Sequence, residues 1–169
     1  IIAADHLLPI SSGPIANGAV AIDGAKIAAV GTRDEIARQF PGVETQDFGE
    51  AAIMPGMVNC HSHLEITSMR GALDDVEHDF SAWLLKLNGL RADLSDDDIR
   101  AAAVNGALEG PRAGVTCFGD IGRMGHAGVH ALKTVGLRGI VFQETECSPD
   151  NRTADDDFLK LAAKFEELK

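Results

Sequence analysis

His61, Ser62 and His63 follow directly on the apolar run Met57–Cys60. Residues two apart in an extended chain point to the same side, so these two imidazoles can converge on one ion. Nitrogen donors of this kind suit zinc, and also iron or nickel, and an ion left with an open position activates water near neutral pH. The chemistry indicated is hydrolysis. Glu65 keeps the same parity and shares that face if the extended backbone persists past the strand end. On spacing alone, H-x-H equally fits two histidines that are only solvated or hydrogen-bonded beside a turn.

The elements that would position these residues are legible on both sides of them. Upstream, Ala19–Ile22 and Ala25–Val30 flank Asp23-Gly24, the strongest two-residue hairpin signal. Thr32 with Glu35 forms a capping-box pattern for a short helix that Pro41-Gly42 ends. Short strands are expected at Thr45–Phe48 and Ala51–Met54, so residues 1–55 read as a small strand-rich domain. After Gly56 the texture changes to alternating strands and helices. Strands are expected at Met57–Cys60, Val115–Phe118 and Leu137–Phe142. Helices are expected at Phe80–Leu90, from Ser95 with its partner Asp98 towards Gly110-Pro111, at Gly125–Val135 and from Thr153 onward. That alternation predicts a parallel sheet with right-handed crossovers, hence an α/β domain over residues 56–169.

Composition narrows the function classes. The chain has 169 residues, 45% hydrophobic and 24% charged, which excludes a disordered protein or a disulfide miniprotein. Its net charge of −11 disfavours nucleic acid and anionic membrane surfaces as partners. No run approaches the roughly 20 apolar residues needed to cross a bilayer, and the start of the chain has no basic flank of the signal-peptide kind. Cys60, Cys117 and Cys147 are odd in number and widely spaced, which suits a reducing, cytoplasmic setting and small buried hydrophobic side chains.

The stretch Pro55-Gly56-Met57-Val58-Asn59-Cys60-His61-Ser62-His63 resembles the amidohydrolase superfamily pattern P-G-x-x-[ND]-x-H-x-H, which marks the first strand of that family's barrel. Arg70-Gly71 is similar to the R-G of its deaminase and chlorohydrolase branch. Ala113–Asp120 is similar to that branch's second barrel strand. The resemblance implies a partial (β/α)8 barrel, its first three strands or so, over residues 56–169, preceded by part of a small β-sandwich domain over residues 1–55. It implies His61 and His63 as ligands of one divalent metal ion, zinc first and iron as the alternative. Within the branch, His63-Leu64-Glu65, Phe80–Leu84 and Val141–Glu144 resemble the aminodeoxyfutalosine deaminases and their relatives. That finer resemblance implies hydrolytic deamination of a purine-type or other heterocyclic small molecule, with Glu65 and Trp83 facing the substrate and Gln143 at the third strand end.

The same family pattern takes a third histidine from the fifth barrel strand, another from the sixth and an aspartate from the eighth. A barrel needs about 250 residues, roughly 30 per unit, so the chain after Gly56 supplies three to four of eight units. We therefore expect an N-terminal portion of a longer hydrolase, inactive alone, with the rest of the barrel as its partner and a homodimer as a further expectation. Chlorohydrolase or cyclic-amide hydrolysis is the rival activity. A non-catalytic α/β binding or assembly domain is the rival of another class. Asp120 is expected to hydrogen-bond at the second strand end, and His6, His78, His126 and His130 to be surface or structural residues.

Overall fold

The structure, a computed structural model, describes residues 1–145 and 153–168. It divides into two compact units, Ile1–Pro55 and Gly56–Lys169.

In the first unit β1 (Ile2–Leu7), β2 (Ile15–Asp23), β3 (Lys26–Thr32), β4 (Gln46–Asp47) and β5 (Ala52–Ile53) form one sheet. β2 pairs antiparallel with both β1 and β3, while β4 and β5 both pair parallel with β1. The hairpin exists, but its loop is Gly24-Ala25 rather than Asp23-Gly24. Asp23 pairs with Lys26, and the register of the two strands shifts between Ala21 and Ile22. Gly24 carries the positive φ, +56°, at the first loop position, where glycine pays no Cβ penalty. The helix α1 (Arg33–Gln39) begins with the expected capping box. Thr32 N donates to Glu35 Oε2 at 2.9 Å and Glu35 N donates to Thr32 Oγ1 at 3.4 Å. Its one buried residue, Ile36, packs with Ala3, Ala19 and Ala21 on the sheet. β1 escaped the sequence pattern because Asp5 and His6 interrupt its apolar run, yet Ala3, Ala4 and Leu7 are buried.

In the second unit β6 (Met57–Ser62), β7 (Val115–Gly122) and β8 (Arg138–Gln143) lie side by side in that order, both pairings parallel, as the alternation predicts. The crossover from β6 runs through two 3-10 segments, Leu64–Met69 and Asp74–Val76, then α2 (Phe80–Ala92) and α3 (Asp96–Arg112). α4 (Gly125–Val135) joins β7 to β8, and α5 (Ala154–Glu167) follows. Asp79 caps α2 by accepting from Ser81 N and Ala82 N. Ser95 and Asp98 complete the capping box of α3. α3 runs on through Pro111, because a proline in the last turn removes only one i−4 hydrogen bond. The core collects Leu64, Ile99, Ala103, Ala107, Phe118, Ala127, Ala131 and Leu132, so alanines on α3 and α4 let both helices lie close to the sheet.

β6 and β7 both outrun their apolar cores. The expected strands end at Cys60 and Phe118, whereas the observed ones end at Ser62 and Gly122. The polar residues His61, Ser62 and Asp120 thereby enter the sheet itself. The apolar run underestimates a strand whose last residues are kept polar for another purpose.

Candidate functional site

His61 stands near the end of β6 and His63 just past it, still extended at φ −130° and ψ 76°. Their rings meet edge to face at 78°, centroids 5.1 Å apart, and the two Nε2 atoms are 3.2 Å apart. The parity argument therefore holds for this pair. His63 Nδ1 lies 2.8 Å from the carbonyl oxygen of Ile121 on β7. A carbonyl only accepts, so Nδ1 is the protonated nitrogen and Nε2 presents its lone pair. Metal-binding histidines characteristically donate their second ring N–H in this way. An ion at the usual ~2.0–2.1 Å from each nitrogen would see them at about 100–105°, near a tetrahedral angle. The two histidines fit a divalent ion. Among the described residues no third histidine, cysteine, aspartate or glutamate joins them.

Beneath them lies Asp120, 2% exposed. Its Oδ1 accepts from Leu64 N at 2.8 Å and from Ser62 Oγ at 3.2 Å. Burial pushes this carboxyl above the usual carboxylate range. The two donors and His63 pull it back down, and nearby Glu65 adds to the rise.

Glu65 is placed differently from its sequence expectation. The extended backbone stops at His63, and the 3-10 segment Leu64–Met69 turns Glu65 inward, 3% exposed. Its Oε1 accepts from Arg123 N at 3.2 Å and pairs with Arg91 Nη2 at 3.0 Å, while Oε2 accepts from Met124 N at 2.9 Å. Shared parity with the histidines is thus lost, because a 3-10 turn replaces the pleat. The carboxylate ties the start of the crossover to α2 and to the turn after β7. Neither Arg91 nor the Arg123–Met124 turn carried a sequence signal. A lone acidic residue does not announce which distant arginine will meet it.

Gln143 stands at the end of β8, but its amide is committed to backbone. Nε2 donates to Arg123 O and Glu144 O, both at 2.8 Å, and Oε1 accepts from Gly125 N at 3.0 Å. It lines a cavity of about 320 Å³ with Arg91, Met124 and His126, and neither His61 nor His63 reaches that cavity. Trp83 is half-buried on α2, stacked at 14° on the exposed Phe80 with centroids 6.1 Å apart. The structure brings His61 and His63 together, and sets Glu65, Trp83 and Gln143 on other elements.

His6, His78 and His130 are exposed, and His126 is half-buried with His130 one turn along α4. The cysteines correct an expectation. Cys60 is exposed and Cys117 only partly buried, both as free thiols. Cys60 shares with Val58 a face of β6 that no helix among the described residues covers, and Val58 is 64% exposed. Cys147 lies outside the described residues. No helix among the described residues is long and apolar enough to cross a membrane.

Three parallel strands joined through helices, with two imidazoles at the end of the first strand, have the order of the opening units of a β/α barrel. The sequence model of the Amidohydrolase family matches residues 52–168, and the chain belongs to that family. A bacterial imidazolonepropionase-like composite domain model matches residues 18–42. A 5-methylthioadenosine/S-adenosylhomocysteine deaminase of Nitratidesulfovibrio vulgaris is 35% identical over 142 residues, 83% of this chain and 32% of that protein. The chain thus spans about a third of the length of the curated relatives it matches. Among solved structures, Helicobacter pylori aminofutalosine deaminase in complex with methylthio-coformycin overlays with a TM-score of 0.78 at 24% identity, over 99% of this chain and 40% of that one. An adenosine deaminase from Xanthomonas campestris with bound zinc overlays at 0.72, also at 24% identity, over 99% and 39%. At that identity the likeness establishes the fold, the first strand and helix units of a β/α barrel.

Proposed function

We propose that this chain contributes the first part of a metal-dependent amidohydrolase that deaminates an aminated purine-type or related heterocyclic ring. The observation that carries the reading is the His61–His63 pair, with Nε2 atoms 3.2 Å apart and His63 locked by Nδ1 on Ile121. His61 and His63 would hold one divalent ion, zinc by preference and iron as the alternative. The deaminase relatives and the zinc named for the adenosine deaminase structure support that choice. Such an ion supplies Lewis-acid activation of water for attack on an electron-poor ring carbon.

The chain's own residues orient the site. Ile121 O keeps the proton of His63 on Nδ1, so that Nε2 stays free to donate its lone pair. Glu65 and Gln143, proposed from sequence to face substrate, have geometry that favours holding the rim. Glu65 fastens the turn at Arg123–Met124, and Gln143 fastens Gly125 and Arg123. Trp83, with Phe80 stacked beside it, keeps an aromatic surface for a flat ring. We read residues 1–55 as part of the small β-sandwich domain and residues 56–169 as the first portion of the barrel. The partner is then the rest of that barrel, and a homodimer of the completed enzyme is a further proposal.

The test is a zinc titration joined to an ammonia-release assay. Residues 1–169 should bind zinc weakly through two imidazoles, lose that binding in His61→Ala and turn over nothing. With the remaining barrel supplied, in one longer chain or as a complementing second chain, binding should tighten and ammonia should be released from aminated heterocycles. Chloride release from halogenated rings instead would favour the chlorohydrolase reading. A completed protein that binds no metal would remove the hydrolase reading altogether.

A further inference from the structure

His63 is bracketed by a single carboxylate. Asp120 Oδ1 accepts from Ser62 Oγ and from Leu64 N, which belong to the residues immediately before and after it. The next residue on β7, Ile121, supplies the carbonyl that takes the proton of His63 Nδ1 at 2.8 Å. Two adjacent residues of β7 therefore grip the last residue of β6 and the two that follow it, just after a register irregularity between Asn59 and Ser62. Irregularities of this sort re-aim a side chain by breaking the regular pleat. Here the extra grip comes from a side chain rather than from the ladder.

Asp120 has little freedom to move. It is 2% exposed, and its other oxygen faces α4, where a Cβ built on Gly128 would stand 2.2 Å from Oδ2. No side chain larger than hydrogen fits at position 128 unless the carboxylate shifts. Gly128 itself is on a helix and is no hydrogen-bond partner of either histidine, so its link to them runs through Asp120.

We infer that Asp120, seated against Gly128, is the positioning residue for His63: it holds the backbone N–H of Leu64 after the imidazole and the hydroxyl of Ser62 before it, an O–H that also lies 3.2 Å from the Gly119 carbonyl, so that Ile121 holds the ring with Nε2 aimed at the ion. This rests on the reading of His61 and His63 as metal ligands, and adds the group that sets the tautomer and direction of one of them. A carboxylate that merely tied two strand ends together would alter stability when removed and leave the tautomer of His63 alone. That difference is measurable.

The experiment is nitrogen-15 NMR of the histidine rings in the full 169-residue chain, above the histidine titration range, with zinc titrations in parallel. In the parent protein His63 should be protonated on Nδ1. Asp120→Asn keeps an oxygen able to accept both hydrogen bonds, and should keep that tautomer. Asp120→Ala and Gly128→Ala should populate the Nε2-protonated form at His63 while the exposed His130 stays unchanged, and should weaken zinc binding by about 10–100-fold. If circular dichroism finds those two unfolded, Ser62→Ala, which removes one of the two donors, should give a partial tautomer shift and a loss of a few-fold in affinity. A folded Asp120→Ala or Gly128→Ala chain with His63 still wholly Nδ1-protonated and zinc affinity unchanged would overturn the inference, as would an Nε2-protonated His63 in the parent. If the parent binds no more zinc than His63→Ala, the metal reading fails, and the tautomer series alone then decides the role of Asp120.

Discussion

The two faces of the sheet β6-β7-β8 differ sharply. On one, Phe118 and Val141 pack against α3 and α4, and Asp120 sits against Gly128 with both bonds of its Oδ1 made. On the other, Val58 and Ile140 are 64% exposed and Phe142 51%, with Cys60 open beside them. Apolar side chains of similar size therefore do unequal work within one sheet. Only the covered face gains the transfer free energy of burial, about 25 cal/mol per Å². The contrast also separates two kinds of information. On the covered face neighbours dictate each residue, down to the hydrogen atom of Gly128, while the open face is apolar by pattern alone.

The sharpest way to break this comparison is to delete the same ring from each face. Phe118→Ala should destabilise the second unit by about 3–5 kcal/mol, because it opens a cavity among the buried residues of α3 and α4. Phe142→Ala should change stability by no more than about 0.5 kcal/mol. Urea unfolding followed by circular dichroism measures both, and equal losses would show the open face to be covered in solution.

A somewhat smaller effect is expected from the buried ion pair. Glu65→Ala leaves Arg91, whose side chain is 12% exposed, without its carboxylate and frees two backbone donors. Removal of one partner of such a pair costs about 3 kcal/mol. Joining Glu65→Ala with Arg91→Met should recover part of that loss, and a double-mutant cycle reads the coupling. Strict additivity of the two substitutions would mean that the pair does not hold α2 to the rest of the unit.

A smaller loss than that of the ion pair is expected at the exposed cap of α3. Ser95→Ala should cost about 1 kcal/mol at neutral pH. Hydrogen bonds from the side chain and backbone of Ser95 hold the Asp98 carboxyl below its ordinary range. A carboxylate with a lowered folded-state pKa stabilises above its unfolded pKa, and that contribution disappears as pH falls through the lowered value. The gap between parent and Ser95→Ala should therefore narrow in strong acid. Thermal melts across that range provide the measurement, and a constant gap would show that the Asp98 charge does not support the cap.

Much of the architecture could be read from local chemistry. Thr32 with Glu35 and Ser95 with Asp98 announced both capping boxes, since a cap needs only four consecutive residues to complete its bonds. The alternation after Gly56 announced three parallel strands, because crossover helices leave no other arrangement for them. His61-Ser62-His63 announced its convergence for a similar reason: a two-residue spacing in extended chain is a complete geometric statement.

What the sequence could not reveal is every partner that arrives from elsewhere in the chain. Glu65 looked like a continuation of the histidine face until a 3-10 turn carried it inward to Arg91 and the Arg123–Met124 turn. Cys60 looked like a buried hydrophobe until it proved exposed on a face of β6 that no helix among the described residues covers. The carbonyl of Ile121 has no sequence signature at all, yet it sets the tautomer of His63. Local spacing determines which side chains can point the same way. Only packing between residues some 58 positions apart decides which carbonyl, carboxylate or cation each of them meets, because the energies that choose among those partners come from burial and desolvation, which a single segment does not possess.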